Sequence, residues 1–259
     1  MKVIVAGEYP LAWDIGQLCL DVGHETHIYV AEDLYDAQAS GSMMDGVADV
    51  DLAIEAQNET VEAKRELLLA LAQVIPDDAP VLSSTMVCSA TEAASWIGSP
   101  QRLVGFGLLP PLSTPGIVEL APALQSKETA MEAAKLFWQS LEMKSVLVAD
   151  GPGLVRARTV CCLINEATAA LFEGVASAED IDTAMRLGTN YPHGPFEWAD
   201  IIGVDTVLGV MNGLFREWGE DRYRPSPLLK RMVLAGHLGR KSGRGFYDYD
   251  ERAGNSGER

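Results

Sequence analysis

The stretch Tyr191-Pro-His-Gly-Pro-Phe-Glu197 decides the fold of this chain, together with two blocks that follow it. These blocks are Pro225-Ser-Pro-Leu-Leu229 and Gly239-Arg-Lys-Ser-Gly-Arg-Gly-Phe-Tyr-Asp-Tyr249. Clusters of proline and glycine between apolar runs at helical spacing are typical of helix boundaries and turns in any globular domain. Each block alone therefore predicts only a joint between helices, whereas the three in this order indicate one particular helical domain.

The segment before these blocks predicts a long amphipathic helix. Apolar residues recur there at helical spacing, at Leu154, Ala157, Cys161, Ile164 and Leu171. On a helix from Gly153 to Gly174 they form a wide face that belongs at a domain or subunit interface. After Ala149-Asp-Gly-Pro-Gly153 the apolar residues recur at helical spacing, with glycine and proline between the helical runs. We therefore predict a first domain over residues 1–149, an all-α domain over residues 150–250 and a polar tail over residues 251–259.

Strands and helices alternate in the first 149 residues. Short apolar runs predict strands at Met1–Gly7, Glu25–Val30, Asp51–Glu55, Val81–Ser83 and Leu103–Leu109. Longer periodic runs predict helices at Leu11–Val22, Thr60–Val74 and Thr91–Ile97. Because a helix follows each of several strands, the pattern indicates an α/β domain with a doubly wound parallel sheet.

Composition excludes several classes of function. The chain has 259 residues, 47% of them hydrophobic, and a net charge of -17. Such an acidic balance disfavours binding to nucleic acids and to anionic membranes, since both depend on lysine and arginine. No apolar run reaches the roughly 20 residues of a membrane-spanning helix, and the strand-like start does not resemble a signal peptide. We therefore expect a cytoplasmic protein. The four cysteines lack ligand spacing, so we expect reduced thiols and no metal site.

The C-terminal blocks, with Ala178-Glu-Asp-Ile-Asp-Thr-Ala-Met-Arg-Leu-Gly188 before them, resemble the 3-hydroxyacyl-CoA dehydrogenases, in particular those of the 3-hydroxybutyryl-CoA type. The resemblance implies a Rossmann-like NAD-binding domain followed by an all-α dimerisation domain. It also implies NAD-dependent oxidation of 3-hydroxyacyl-CoA to 3-ketoacyl-CoA in fatty-acid metabolism. The partners expected from it are a second copy or a homologue, bound through the helical domain, and an acyl-CoA or other small-molecule ligand.

The glycine turn after the first strand departs from the family pattern. A dinucleotide fingerprint needs glycine for the turn, for close approach of the pyrophosphate and for helix packing, where alanine is also accepted. In Gly7-Glu-Tyr-Pro-Leu-Ala12, Gly7 retains the first role and Ala12 the third, but Tyr9 stands at the second position. We expect the Tyr9 side chain to occupy the pyrophosphate space and Glu8 to add a carboxylate beside the phosphates.

Other residues of the expected cofactor site are retained in part. Val30 stands where an acidic residue would bind the ribose hydroxyls, and Glu32 is the acid that a shifted loop would bring there. Glu59 and Lys64 match the segment that follows the family's fourth strand. The candidate cofactor-binding residues are therefore Gly7, Ala12, Glu32, Glu59 and Lys64. They fit an inherited scaffold better than a competent NAD site.

The resemblance also assigns four catalytic positions, and three of them are changed. The family's histidine base aligns with Gly107, its carbonyl-binding serine with Met86 and its asparagine with Ala157. The glutamate that orients the histidine is retained as Glu119. Imidazole suits the base because it titrates near neutral pH. The chain therefore resembles a degenerate member of the family.

Three functions follow from these departures. The first is an impaired or inactive homologue that serves assembly, regulation or ligand binding. The second is an active NAD-dependent dehydrogenase whose rearranged site acts on a small 3-hydroxy acid or a 3-hydroxyacyl-CoA. The third is a binding module for another nucleotide or an acyl group. Of the four histidines, only His193 is placed in a block where it could face a cleft.

Overall fold

The computed structural model describes residues 1–30 and 49–249, which form two compact units. The first unit is Met1–Val155 and the second begins at Arg156. The segment from 150 to 155 belongs to the first unit, because its main-chain and side-chain groups form hydrogen bonds with residues of that unit. The Asp150 carboxylate accepts the N–H groups of Ala90 and Thr91 at 2.7 and 2.9 Å, and the Gly153 N–H donates to the Thr85 oxygen at 2.7 Å. The predicted polar tail and Glu32 lie outside the described residues.

The first unit is built on a seven-stranded sheet with the order β2-β1-β3-β4-β5-β6-β7. The strands are β1 (Lys2–Gly7), β2 (Glu25–Val30), β3 (Leu52–Ala56), β4 (Val81–Ser84), β5 (Leu103–Gly107), β6 (Gly116–Pro122) and β7 (Met143–Leu147). Neighbouring strands pair in parallel except β5 and β6, which are antiparallel. The predicted doubly wound, Rossmann-like sheet is confirmed, with β6 and β7 as additions that the sequence did not predict.

Helices cover both faces of this sheet. They are α1 (Leu11–Asp21), α2 (Val61–Val74), α3 (Ala90–Ala94) and α4 (Glu128–Ser140). Alternate residues of β1 enter different cores because successive side chains of a strand point to opposite faces. Val3 and Val5 pack in the cluster that contains Trp138 of α4, whereas Ile4 packs in the cluster that contains Leu68 of α2. Burial on both faces explains why the central strands are almost wholly apolar.

The strand order has a switch point between β1 and β3. From β1 the chain continues to β2 on one side and returns through β3 on the other. In open α/β sheets, ligands bind in the crevice outside the carboxyl ends of the strands at such a point. The fold therefore places its candidate site where the residues after Gly7 and Ala56 leave the sheet.

The second unit is helical, as predicted. Its helices are α5 (Arg156–Phe172), α6 (Ala178–Thr189), α7 (Pro195–Ile202), α8 (Val204–Trp218) and α9 (Pro227–Leu234). No single helix in the described ranges is long and apolar enough to cross a membrane, and α7 with α8 meets that criterion only jointly, across a bend of 97°. Both helices bury apolar side chains inside the unit, among them Phe196 and Leu214.

Two buried aspartates hold the C-terminal blocks together. Asp182 of α6 accepts the N–H groups of Phe196 and Glu197 at 2.8 and 2.9 Å, at the start of α7. Asp200, at the other end of α7, accepts the N–H groups of Phe246 and Tyr247 at 2.9 and 3.0 Å. These bonds satisfy main-chain donors at turns that lack helical partners. The blocks that decide the fold are therefore fixed by carboxylates supplied from neighbouring helices.

The glycines of these blocks are required by the same contacts. A Cβ atom on Gly194 would collide with the Asp182 side chain, and one on Gly245 would collide with the Asp200 carboxylate. The Tyr249 hydroxyl donates to Asp200 at 3.0 Å. Burial raises the pKa of Asp200, an effect that the donated hydrogen bonds oppose, and burial with the nearby Asp200 charge raises the pKa of Tyr249 to about 12. Tyr249 therefore remains a donor at neutral pH.

We expect Asp182→Ala to lower the free energy of unfolding by about 3 kcal/mol, because two buried main-chain donors would lose their acceptor. Urea denaturation followed by circular dichroism measures the change. Glu217→Ala, which removes an exposed carboxylate of α8, is the control and should change stability by less than about 0.5 kcal/mol. Equal effects of the two substitutions would contradict the assigned role of Asp182.

Candidate functional site

The candidate site lies at the carboxyl ends of β1, β3, β4 and β5. Four loops leave the sheet there. The loop after β1 carries Glu8, the loop after β3 carries Asn58 and the loop after β4 carries Met86. The fourth loop begins at Leu108, directly after Gly107 of β5. Because the four strands are parallel, the loops meet at one edge of the sheet.

Gly7 and Ala12 build the turn from β1 into α1. A Cβ atom on Gly7 would lie 2.5 Å from the carbonyl carbon of Ala56, so only glycine allows β1 to approach β3 this closely at its end. Ala12 is fully buried, and its N–H donates to the Glu8 carbonyl oxygen at 3.0 Å. The positions of both residues are compatible with the turn and packing roles expected for them.

The polar side chain of this turn that is buried is that of Glu8. It is only 4% exposed, and its Oε2 accepts the main-chain N–H of Asn58 at 3.0 Å. The Glu8 N–H in turn donates to the Ala56 oxygen at 3.3 Å. The sequence pointed first to Tyr9, but Tyr9 is 56% exposed and does not enter the core. Glu8 thus connects the ends of the two strands that flank the switch point.

Asn58 extends this connection to β4. Its Oδ1 accepts the Ser84 hydroxyl at 2.7 Å, and its Nδ2 donates to the Ala56 oxygen at 3.4 Å. All of these groups are buried. We call Glu8, Asn58 and Ser84 the latch. Sequence reasoning missed Asn58, because nothing in the sequence relates residue 58 to residue 8.

Lys64, a candidate cofactor-binding residue, is part of a buried ion pair. Its ammonium group binds the Glu55 carboxylate, and both side chains are fully buried. Glu55 also accepts the Ser83 hydroxyl and the Gln57 N–H, each at 2.6 Å. Lys64 therefore holds β3 and α2 together and is not free to bind a phosphate. Glu59 is exposed, and the contacts of Lys64 do not include it.

These residues do not fit the pyrophosphate of a dinucleotide. Phosphate binding at a helix start depends on free main-chain N–H groups and on the absence of competing negative charge. Pro10, which precedes α1, has no N–H, and the Ala12 N–H is already donated. The Glu8 carboxylate lies in the same turn. The turn therefore already contains a negative charge, and it offers few N–H donors to a bound phosphate.

The catalytic positions of the first unit lie side by side. Gly107 and Glu119 face each other across the antiparallel pair of β5 and β6. A Cβ atom on Gly107 would lie 2.9 Å from Cδ1 of Leu154 and 3.1 Å from Oε2 of Glu119. Glu119 is 8% exposed, and Met86 is buried. Glu119 therefore lies directly beside Gly107, the position that the resemblance assigns to the family's histidine base.

Ala157 and His193 belong to the second unit. Ala157 is buried on α5. The His193 Nδ1 lies 3.1 Å from Oε1 of Glu197, and the imidazole packs edge-on against Trp198 with ring centroids 6.3 Å apart. Arg240 approaches the same carboxylate at 3.6 Å. Within its unit, His193 is thus held by local contacts with Glu197 and Trp198 at the start of α7.

Metal and thiol chemistry have no support within the described ranges 1–30 and 49–249. No group of three or more His, Cys, Asp or Glu side chains there is placed to hold a metal ion. The four cysteines are free, and burial raises the pKa of Cys19 to about 12. A cavity of about 390 Å³ lies at the opposite edge of the sheet, near Pro80 and Arg102, which precede β4 and β5. The switch point is therefore the candidate site on grounds of topology, not of cavity volume.

Two family models together match most of the chain. Residues 21–151 match the NAD binding domain of 3-hydroxyacyl-CoA dehydrogenase, and residues 153–249 match its C-terminal domain. The chain is 40% identical over 206 residues to the 3-hydroxybutyryl-CoA dehydrogenase of Bradyrhizobium diazoefficiens, covering 80% of this chain and 70% of the relative. It is 41% identical over 203 residues to a probable 3-hydroxybutyryl-CoA dehydrogenase of Bacillus subtilis, covering 78% and 70%.

A solved structure matches over almost the full length. The crystal structure of (S)-3-hydroxybutyryl-CoA dehydrogenase from Ralstonia eutropha has a TM-score of 0.77 and 30% sequence identity. The match covers 96% of this chain and 99% of that chain. The resemblance drawn from the C-terminal blocks is therefore confirmed.

We expect Lys64→Met to lower the free energy of unfolding by about 3–5 kcal/mol, because it leaves the Glu55 carboxylate buried without its partner. The double variant Glu55→Gln with Lys64→Met should recover part of this loss. Urea denaturation measures both. Lys135→Met, which removes an exposed lysine of α4, is the matched control. A loss as small for Lys64→Met as for the control would show that the ion pair does not hold β3 and α2 together.

Proposed function

The chain belongs to the 3-hydroxyacyl-CoA dehydrogenase family, and we propose that it has lost most or all of the NAD-dependent activity of that family. The observation that carries the proposal is Gly107, which lies opposite the retained Glu119 and has no side chain that could act as the base. Loss of a general base typically lowers turnover on the order of a hundredfold to ten-thousandfold. Met86 and Ala157, which replace the carbonyl-binding residues, add to that loss.

The second candidate function is dehydrogenation by a rearranged site. The named relatives are dehydrogenases, and Glu119 keeps a carboxylate at the strand-end site. Under this alternative the chain would act on a small 3-hydroxy acid or a 3-hydroxyacyl-CoA with NAD. The latch and the Gly107 position both favour the first proposal, because the alternative needs a new base as well as a new place for the pyrophosphate.

For the non-catalytic role we propose assembly in the cytoplasm, as a homodimer or with a homologous partner, through the second unit. Several large apolar side chains of that unit are exposed, including Val175, Leu187 at 75% and Leu234 at 88%. Exposed apolar surface of this kind is typical of interaction sites. An acyl-CoA or another small molecule is the ligand class that the family suggests. The free cysteines support a reducing compartment.

We expect the purified protein to oxidise NADH with acetoacetyl-CoA at least about a hundredfold more slowly than the Bradyrhizobium relative, because the general base is absent. Both proteins are assayed in parallel by NADH absorbance, with the relative as the positive control. A rate within tenfold of the relative would contradict the loss of activity and would favour the rearranged site.

We expect size-exclusion chromatography with light scattering to give twice the mass of one chain at micromolar concentration. Leu187→Glu and Leu234→Glu should shift the protein towards the mass of one chain, because each places a charge on exposed apolar surface of the second unit. Leu136→Glu, which charges an exposed leucine of the first unit, is the control and should leave the mass unchanged. A wild-type protein with the mass of one chain would contradict the homodimer.

A further inference from the structure

We propose that the latch excludes dinucleotides from the crevice and that Glu8 is the residue that determines this exclusion. The inference rests on the proposed loss of activity and adds to it the residue that bars the cofactor. Its starting point is the topology, since the switch point between β1 and β3 is where this class of sheet binds its ligand. Glu8 and Asn58 follow the ends of those two strands, and the Asn58 N–H donates a hydrogen bond to the Glu8 carboxylate across that point.

The latch is a permanent part of the fold and not a surface contact. Glu8, Asn58 and Ser84 are all buried. The bond from the Asn58 N–H to the Glu8 carboxylate is charge-assisted, and such bonds are stronger than those between neutral groups. Asn58 is held from two further sides, by the Ser84 hydroxyl and by the Ala56 oxygen. A ligand that separated Glu8 from Asn58 would therefore have to disrupt bonds at the ends of three strands.

The charge of the Glu8 side chain, as well as its volume, disfavours a bound phosphate. A pyrophosphate placed at the start of α1 would meet the carboxylate of the same turn, and like charges at short range repel strongly where water is excluded. The helix end normally stabilises a bound anion. Here the Glu8 carboxylate lies in the turn between β1 and α1, where it accepts the Asn58 N–H. Its negative charge therefore opposes a second anion in this turn.

Substitutions of Glu8 separate charge from volume. Glu8→Gln keeps the size of the side chain and an acceptor oxygen for the Asn58 N–H, but removes the charge. Glu8→Ala removes both charge and volume, and Glu8→Ala with Tyr9→Gly also restores the second glycine of the turn. Glu66→Gln, which neutralises an exposed carboxylate of α2, is the control. Circular dichroism and urea denaturation establish that each variant is folded, and the near-isosteric Glu8→Gln carries the test if Glu8→Ala is unstable.

The experiment is a fluorescence titration of each full-length variant with NADH. We expect Glu8→Gln and Glu8→Ala to bind NADH at least tenfold more tightly than the wild type, the double variant to bind most tightly, and Glu66→Gln to match the wild type. Equal affinities of folded Glu8 variants and wild type would overturn the proposal. So would micromolar binding of NADH by the wild type.

These outcomes are distinct from a failure of the proposed function. Wild-type turnover of acetoacetyl-CoA tests the loss of activity, whereas the ratio of variant to wild-type affinity tests the latch. Tight wild-type binding without turnover would overturn the latch and leave the loss of activity standing. Tighter binding by the Glu8 variants without turnover would support both, because Gly107 still lacks the base.

Discussion

Buried carboxylates that accept main-chain N–H groups are the interaction on which this structure depends. A carboxylate taken out of water is costly unless donors replace its hydration, and main-chain N–H groups at turns need acceptors for the same reason. In each unit, a hydrogen bond from a main-chain N–H group to a carboxylate meets both requirements. The carboxylates that do so are Glu8, Glu55, Asp182 and Asp200. Part of the strongly acidic composition is therefore structural and not a property of the surface.

The same bond has opposite consequences in the two units. In the second unit, Asp182 and Asp200 fix the turns around α7 and leave no space for side chains at Gly194 and Gly245. These contacts join α6, α7 and the C-terminal block within that unit. In the first unit, Glu8 makes the equivalent bond at the point where open α/β sheets bind their ligands. Under the proposed exclusion of dinucleotides, this bond occupies the place that a cofactor would use.

Local features of the fold could be predicted from the sequence, and contacts between distant segments could not. The short apolar runs of β1 to β5 identify those strands, and the spacing of Gly7 and Ala12 identifies the turn, because both depend on neighbouring residues. β7 was missed because it is an edge strand with a largely exposed Lys144, Val146 and Leu147, which gives it no buried run. The buried ion pair of Lys64 with Glu55 was not predicted, because the two residues lie on different elements.

The residues that identify the family and the residues on which the proposed loss of activity rests are different parts of this chain. The matches to the two family models extend over residues 21–151 and 153–249, and most of those positions build strands, helices and turns. Glycine at position 107 is compatible with this architecture, because β5 pairs with β6 through that residue, opposite Glu119. Removal of a hydroxyl proton, in contrast, requires a group that titrates near neutral pH, and histidine is the side chain with that property. The proposed loss of activity therefore requires no change in the architecture of the fold.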